Sequence, residues 1–173
     1  MTLKIPRVLI VDDDQDIALF LRYQAARLGY QIDFVYASDV GEAVDRLNEL
    51  CCDAAVIDVV LNGVTGVSLV QEIRRHDKLI PLAYLTNLDE DEVRQQAKAH
   101  NAYFLFKQHF WMTDEGPAEL MSILDHMAHM NQCLDGGKRI DNLGFERQLA
   151  QTPLRMAEPF MKLLEKSRAR VAA

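Results

Sequence analysis

The chain has 173 residues, 49% of them hydrophobic and 26% charged, and a net charge of −7. That is room for one ordinary domain with a packed core plus a small appendage, and the acidic balance gives no footing for nucleic acid. The first apolar run, Val8–Val11, is too short for a signal or membrane span, so a cytoplasmic location is expected, and three cysteines without metal spacing make neither a disulfide framework nor a zinc site.

The first two thirds alternate strand and helix. Arg7–Val11 reads as a strand rich in β-branched residues. Ile17, Leu21, Ala25 and Leu28 then mark a helix over Gln15–Leu28 that stops at Gly29. Ile32–Ala37 is the second strand, and Ser38 can cap a helix carrying Val40, Ala43, Val44 and Leu47. Ala54–Asp58 is the third strand. Gly63 and Gly66 punctuate a loop before a helix marked by Val67, Val70 and Ile73. Pro81–Leu85 is the fourth strand. Asp89–His100 is a polar helix with acidic residues in its first turn, where the helix dipole favours them. Ala102–Phe106 is the fifth strand. Pro117 suits a first helical position, and Leu120, Ile123, Leu124, Met127, Met130 and Leu134 give the last helix an apolar stripe. Asp135-Gly136-Gly137 breaks it. The remainder, Lys138–Ala173, reads as a separate tail with two short helices, Phe145–Gln151 and Pro159–Arg170, around Pro153.

Five βα units with near-continuous apolar strands imply an α/β doubly wound parallel sheet covered on both faces. Ligands of such sheets bind beyond the carboxyl ends of the strands. Polar residues gather there: Asp12 and Asp13 after the first strand, Asp58 after the third, Thr86 after the fourth and Lys107 after the fifth. Carboxylates brought into one pocket need a cation or protons. Hard oxygen donors suit Mg²⁺. A carboxylate can also be a nucleophile that forms an aspartyl-phosphate, a transfer that needs mainly positioning and charge neutralisation. Lys107 offers a point charge to a phosphoryl oxygen and Thr86 a hydroxyl donor. Singly, each has a plain structural role: the aspartates as helix caps, Lys107 as a solvated lysine, Thr86 as a turn residue. Together, at the ends of four strands, they read as a site.

The stretch Val8-Leu9-Ile10-Val11-Asp12-Asp13 resembles the opening of receiver domains of two-component response regulators. Ala54–Asp58 with Gly66, Leu85-Thr86, and Phe104-Leu105-Phe106-Lys107 resemble the phosphoacceptor strand and loop, the switch threonine, and the switch aromatic with its lysine. The resemblance implies a flavodoxin-like (βα)5 receiver over residues 1–134 with a five-stranded parallel sheet, followed by a helical extension over 135–173. It implies that Asp58 accepts phosphate from a sensor histidine kinase or a histidine phosphotransfer protein. It further implies that Mg²⁺ is held by Asp12, Asp13, Asp58 and the Val60 carbonyl, that Thr86 and Lys107 bind the phosphoryl group, and that Thr86 and Phe104 form the switch. Such a protein is a phosphoacceptor switch rather than an enzyme acting on other substrates.

Some positions depart from that pattern. Gln108 replaces the usual proline after the lysine, Asn62 stands where proline is common, Thr65 where aspartate is common, and Asn87 where a small residue is usual. Two other readings stay open: a scaffold that uses the fold without phosphate, and a phosphatase of the haloacid dehalogenase type. The latter wants Asp-x-Asp-x-Thr, and Asp16 stands at the threonine position. From Thr113 onward nine acidic and eight basic residues nearly cancel, which separates this C-terminal third from a basic DNA-binding output. The expected partners are therefore the phosphodonor protein and a downstream protein target, with no nucleic acid or membrane, and a homodimer through the last receiver helix or the tail is open.

Overall fold

Every strand of the main sheet runs parallel to its neighbours. In this computed structural model, residues 4–75, 79–135 and 138–139 are described, and in the tail Met161, Lys162, Glu165 and Ala169. The strands are β1 (Arg7–Val11), β2 (Asp33–Ala37), β3 (Ala54–Ile57), β4 (Leu82–Thr86) and β5 (Ala102–Phe106). They lie in the order β2-β1-β3-β4-β5. The order reverses between β1 and β3, so the crevice beyond their carboxyl ends is the expected binding place.

Side chains of the inner strands alternate between two cores, as a period of two requires. Leu9, Val11, Ala55, Ile57, Leu82 and Tyr84 face one cluster. It is completed by residues of α2 (Val40–Glu49), α3 (Val67–Arg75) and α4 (Asp91–Ala99). Val8, Ile10, Ala54, Val56, Ala83 and Leu85 face the other. There they meet α1 (Gln15–Leu28) and α6 (Glu115–Gln132). Each fully buried Leu or Ile contributes roughly 1.5–3 kcal/mol of apolar transfer.

Helix termini follow local chemistry. Asp14 caps α1 by accepting from the Asp16 amide, and Gly29 closes it at φ 80°, a left-handed position suited to glycine. At α2 the cap is Asp39, not Ser38. Asp39 accepts from the Glu42 amide, while Ser38 donates its backbone N–H to Glu42 Oε2. That reciprocal arrangement is a capping box shifted by one residue.

Two features were not legible in advance. A short helix, α5 (Lys107–Met112), follows β5 directly, so Lys107 opens a helix as well as ending a strand. No side chain caps it; tertiary packing does, with Phe110 buried and Phe20, Phe110 and Trp111 in mutual ring contact at 4.4–5.3 Å. The next helix begins at Glu115, so Pro117 is its third residue rather than its first. Thr113 Oγ1 accepts from the Gly116 amide there.

The end of α6 also differs from the periodic reading. The helix stops at Gln132, and Leu134–Asp135 pairs antiparallel with Lys138–Arg139. Leu120, Ile123, Leu124, Met127 and Met130 are all buried, and so are Met121 and Ala128. The helix therefore buries two faces. One packs on the sheet; the other, Ile123, Met127 and Met130 with Cys133, is joined by Leu79, Tyr103 and Met161. Met161, Lys162, Glu165 and Ala169 are helical, within the expected second tail helix; Phe145–Gln151 lies outside the described residues. None of the three cysteines forms a disulfide; Cys52 and Cys133 are buried and Cys51 is exposed. Among the described residues no helix is long and apolar enough to cross a membrane.

Candidate functional site

The sequence-predicted carboxylates meet at the carboxyl ends of β1 and β3. Asp58 is tied to the neighbouring strand end by its amide, which donates to the Val11 carbonyl at 2.8 Å. The Asp12 amide likewise donates to the Ala37 carbonyl at 3.2 Å. Sheet register thus fixes both backbones before any side chain interacts. Asp12, Asp13 and Asp58 each bring a carboxylate oxygen to within 4.8 Å of the others. Asp12 and Asp58 are buried, whereas Asp13 is exposed.

Lys107 reaches in from the start of α5. Its Nζ lies 2.7 Å from Asp12 Oδ2 and 2.6 Å from Asp58 Oδ2. Burial alone would lower the Lys107 pKa, but its bonds to Asp12 and Asp58 outweigh burial and raise it above the ordinary lysine value. Burial pushes the Asp12 carboxyl up, over the opposing pull of Lys107. Lys107 is therefore a fixed cation in this pocket.

The segment after Asp58 is a miniature hairpin. Val60–Leu61 pairs antiparallel with Val64–Thr65. Asn62 and Gly63, at φ 50° and 78°, make the two-residue turn, and Asn-Gly with both φ positive is the type I′ combination. The Val60 amide donates to Asp58 Oδ1 at 3.1 Å, and the Gly66 amide to the Val59 carbonyl at 2.7 Å. Antiparallel alternation makes Val60 and Thr65 a pair that exchanges no ladder bonds, so the hairpin ladder does not use the Val60 carbonyl. Gly66 presses against the Asp58 backbone: a Cβ there would sit 2.1 Å from the Asp58 carbonyl oxygen. Only glycine fits.

Thr86 is buried at the end of β4, and its Oγ1 accepts from the Leu88 amide at 3.2 Å. Phe104 is half-buried on β5, and the Arg94 guanidinium lies 4.4 Å from its ring centroid. Arg94 in turn bonds Asp89 in the loop after β4. Asp16 stays on the exposed first turn of α1, engaged with Asp14, which leaves a dehalogenase-type triplet without its third member.

Three contributors carry no sequence signal. The Tyr36 hydroxyl on β2 donates to the Asp12 carbonyl at 2.8 Å. The Asn62 amide donates to Asp13 Oδ2 at 3.2 Å. Arg94 packs on Phe104. All three depend on register or turn geometry rather than on a motif.

The donor set fits a small divalent cation. Three carboxylates face one ammonium, which leaves the cluster short of positive charge, and every donor is a hard oxygen.

The family model described as response regulator receiver domain matches residues 8–111. The chain belongs to that family. Among solved receivers it is similar to the chemotaxis protein CheY4 of Vibrio cholerae, with 26% identity, a TM-score of 0.59, and coverage of 72% of this chain and 99% of that one. The receiver domain of Francisella response regulator 1452 gives 27% identity and a TM-score of 0.60, over 71% of this chain and 96% of that one. Among curated proteins, the alkaline phosphatase synthesis transcriptional regulatory protein PhoP of Bacillus subtilis is 33% identical over 49% of this chain. The phosphate regulon transcriptional regulatory protein PhoB of Rhizobium meliloti is 29% identical over 57% of it. These matches cover only 35% and 43% of those two regulators, so the receiver part is what is shared.

Proposed function

We propose that this receiver accepts a phosphoryl group on Asp58 from the phosphohistidine of a sensor kinase or a phosphotransfer protein, and passes the signal through protein contacts. The observation that carries the reading is the Lys107 ammonium held between Asp12 and Asp58, beyond the ends of β1 and β3. An Asp58 carboxylate oxygen attacks phosphorus in line, the P–N bond breaks, and the imidazole leaves with the electron pair. Lys107 offsets charge on the phosphoryl oxygens, and the Val60 amide holds the other Asp58 oxygen. Thr86 would donate its hydroxyl to the transferred group. Asp12, Asp13, Asp58 and the Val60 carbonyl would hold Mg²⁺, which neutralises phosphoryl charge when bound. Phe104 and Thr86 would form the switch that reports the modification.

The domain division at residues 134 and 135, the cytoplasmic location and the absence of a DNA-binding role belong to the same reading. The end of α6 at Gln132 supports the division. The relatives named as transcriptional regulators are longer than this chain's match to them, so their transcriptional role is not carried over.

Intact mass spectrometry with acetyl phosphate and Mg²⁺ tests the assignment. Wild type gains one phosphoryl mass; Asp58→Asn gains none, and Asp13→Ala loses the Mg²⁺ dependence together with most of the yield. Phosphorylation of Asp58→Asn to the wild-type level would overturn the acceptor assignment, and a wild type that gains no phosphoryl mass would leave the scaffold reading in its place.

A further inference from the structure

We infer that Asn62 is a positioning residue for the metal centre, acting through its backbone amide on Asp13. The inference rests on the Mg²⁺ reading above and goes beyond it to the loop that organises the least buried ligand.

Asp13 differs from the other two carboxylates. Asp12 and Asp58 are buried and held by Lys107, but Asp13 is exposed. An exposed aspartate samples several rotamers, and ordering it on binding costs affinity. The Asn62 N–H meets Asp13 Oδ2 at 3.2 Å across 49 residues of sequence. One carboxylate oxygen is thereby engaged and the other left for a cation.

The donor is itself fixed. The Asn-Gly turn holds Asn62 at φ 50°, and the pairs Val60 with Thr65 and Leu61 with Val64 hold the turn. Leu61 is buried in the core at its base, and Gly66 is wedged on the Asp58 carbonyl. The amide therefore has little freedom to move away. Receivers commonly place proline where this chain has Asn62, and proline has no N–H to give and cannot reach a positive φ. The tie depends on that departure.

Isothermal titration of the full-length protein with Mg²⁺ alone separates the outcomes. Asn62→Gly keeps both the amide and the turn and should bind within about 2-fold of wild type. Asn62→Pro removes both and should weaken binding. Because proline also strains the turn, the decisive variant replaces the Leu61–Asn62 amide by an ester through an α-hydroxy acid, which removes the N–H and keeps the Asn62 side chain. We expect about 5-fold weaker Mg²⁺ binding there, the scale of ordering one exposed side chain. The thermal midpoint without metal should stay near that of wild type, a result that a purely structural role for the amide would not give. Equal affinity of the ester and wild type overturns the positioning role while the metal reading stands. Absence of Mg²⁺ binding by wild type overturns the metal reading, and the inference with it.

Discussion

Lys107 Nζ sits 2.6 Å from Asp58 Oδ2, with only 6% and 10% of the two side chains exposed. A pair this buried behaves unlike a surface ion pair. Removing one partner leaves the other desolvated and uncompensated, at a cost of about 3–5 kcal/mol. Here two carboxylates share the one ammonium, and its loss strands both. Lys107→Met keeps the aliphatic stem and deletes the charge. In chelator, denaturant titration should show a loss of about 3 kcal/mol. Added Mg²⁺ should then stabilise the variant more than it stabilises wild type, since the cation replaces the missing charge. Unchanged stability in chelator would show that the pair contributes no net free energy.

Gly66 offers a test that involves no charge. A Cβ at this position overlaps the Asp58 carbonyl oxygen at 2.1 Å, and backbone cannot yield as a flexible side chain can. Gly66→Ala must displace the hairpin or the end of β3. We expect a loss of about 2–4 kcal/mol, in the range of severe overpacking, together with a clear fall in phosphorylation rate. Gly63→Ala meets no neighbouring atom but retains a positive φ. It should cost only about 1 kcal/mol. If the two variants were equally mild, the close approach of Gly66 to Asp58 would not exist in solution.

The candidate site was legible because its residues end strands. Asp12, Asp13, Asp58, Thr86 and Lys107 each follow an apolar run, and sheet order then decides which of them meet. What stayed hidden depends on geometry that short sequence windows do not encode. Lys107–Met112 has no cap and is only six residues long, so its helicity comes from Phe110 packing under Phe20. Asn62-Gly63 was visible as a loop, but a hairpin of two-residue arms is below any period that can be counted. Ser38 and Asp39 are both competent caps, and a shift of one residue between them turns on the reach of Glu42. The apolar stripe of α6 was read correctly as far as Met130, but Leu134 falls in the strand after the helix, and the stripe did not show that Met121 and Ala128 widen it to two faces.

Tail and receiver meet at Met161, which is half-buried against Ile123, Met127, Met130 and Cys133. Deleting Lys138–Ala173 removes that cover. Among the described residues, none of the deleted ones belongs to the sheet or its two clusters, so circular dichroism should report a folded α/β protein that still takes phosphate. Light scattering should show stronger self-association than for the full chain, as expected of newly exposed apolar surface. An unfolded truncation would place the tail inside the cooperative unit and move the domain boundary.

His129 supplies a pH dependence away from the pocket. The side-chain hydrogen bond with Asp125 raises its pKa above the ordinary 6.5, against the lowering effect of burial. The folded state therefore binds this proton more tightly than the unfolded state. The resulting stabilisation is complete below about pH 6.5 and is lost as pH rises through the folded pKa. The difference in unfolding free energy between wild type and His129→Gln should shrink over that upward interval. Its size should stay below about 1 kcal/mol, since the pair is only partly buried. A difference that grew with pH would reverse the assignment.

The lifetime of the phosphorylated form follows from what flanks the acceptor. Hydrolysis needs a water in line with the Asp58–phosphorus bond, so side chains beside that path set its rate. In receivers, by resemblance, these are the residues two past the acceptor and two past the switch threonine: Val60 and Leu88 here. Val60 is 42% exposed at the pocket rim. Leu88 leans on the core beneath α4, and its amide is bound to Thr86 Oγ1. Neither side chain has a polar atom that could orient a water. Asn87, between Thr86 and Leu88, is exposed. The phosphorylated protein should therefore decay slowly, which suits a stored signal better than a rapid one. Following the phosphorylated mass after donor removal measures this directly. Val60→Asn combined with Leu88→Glu gives the path two groups that can hold water, and its phosphate should be lost about tenfold faster, within the range of positioned acid–base assistance. Equal decay of the double mutant and wild type would show that water enters by another route, and the slow-signal reading would fall.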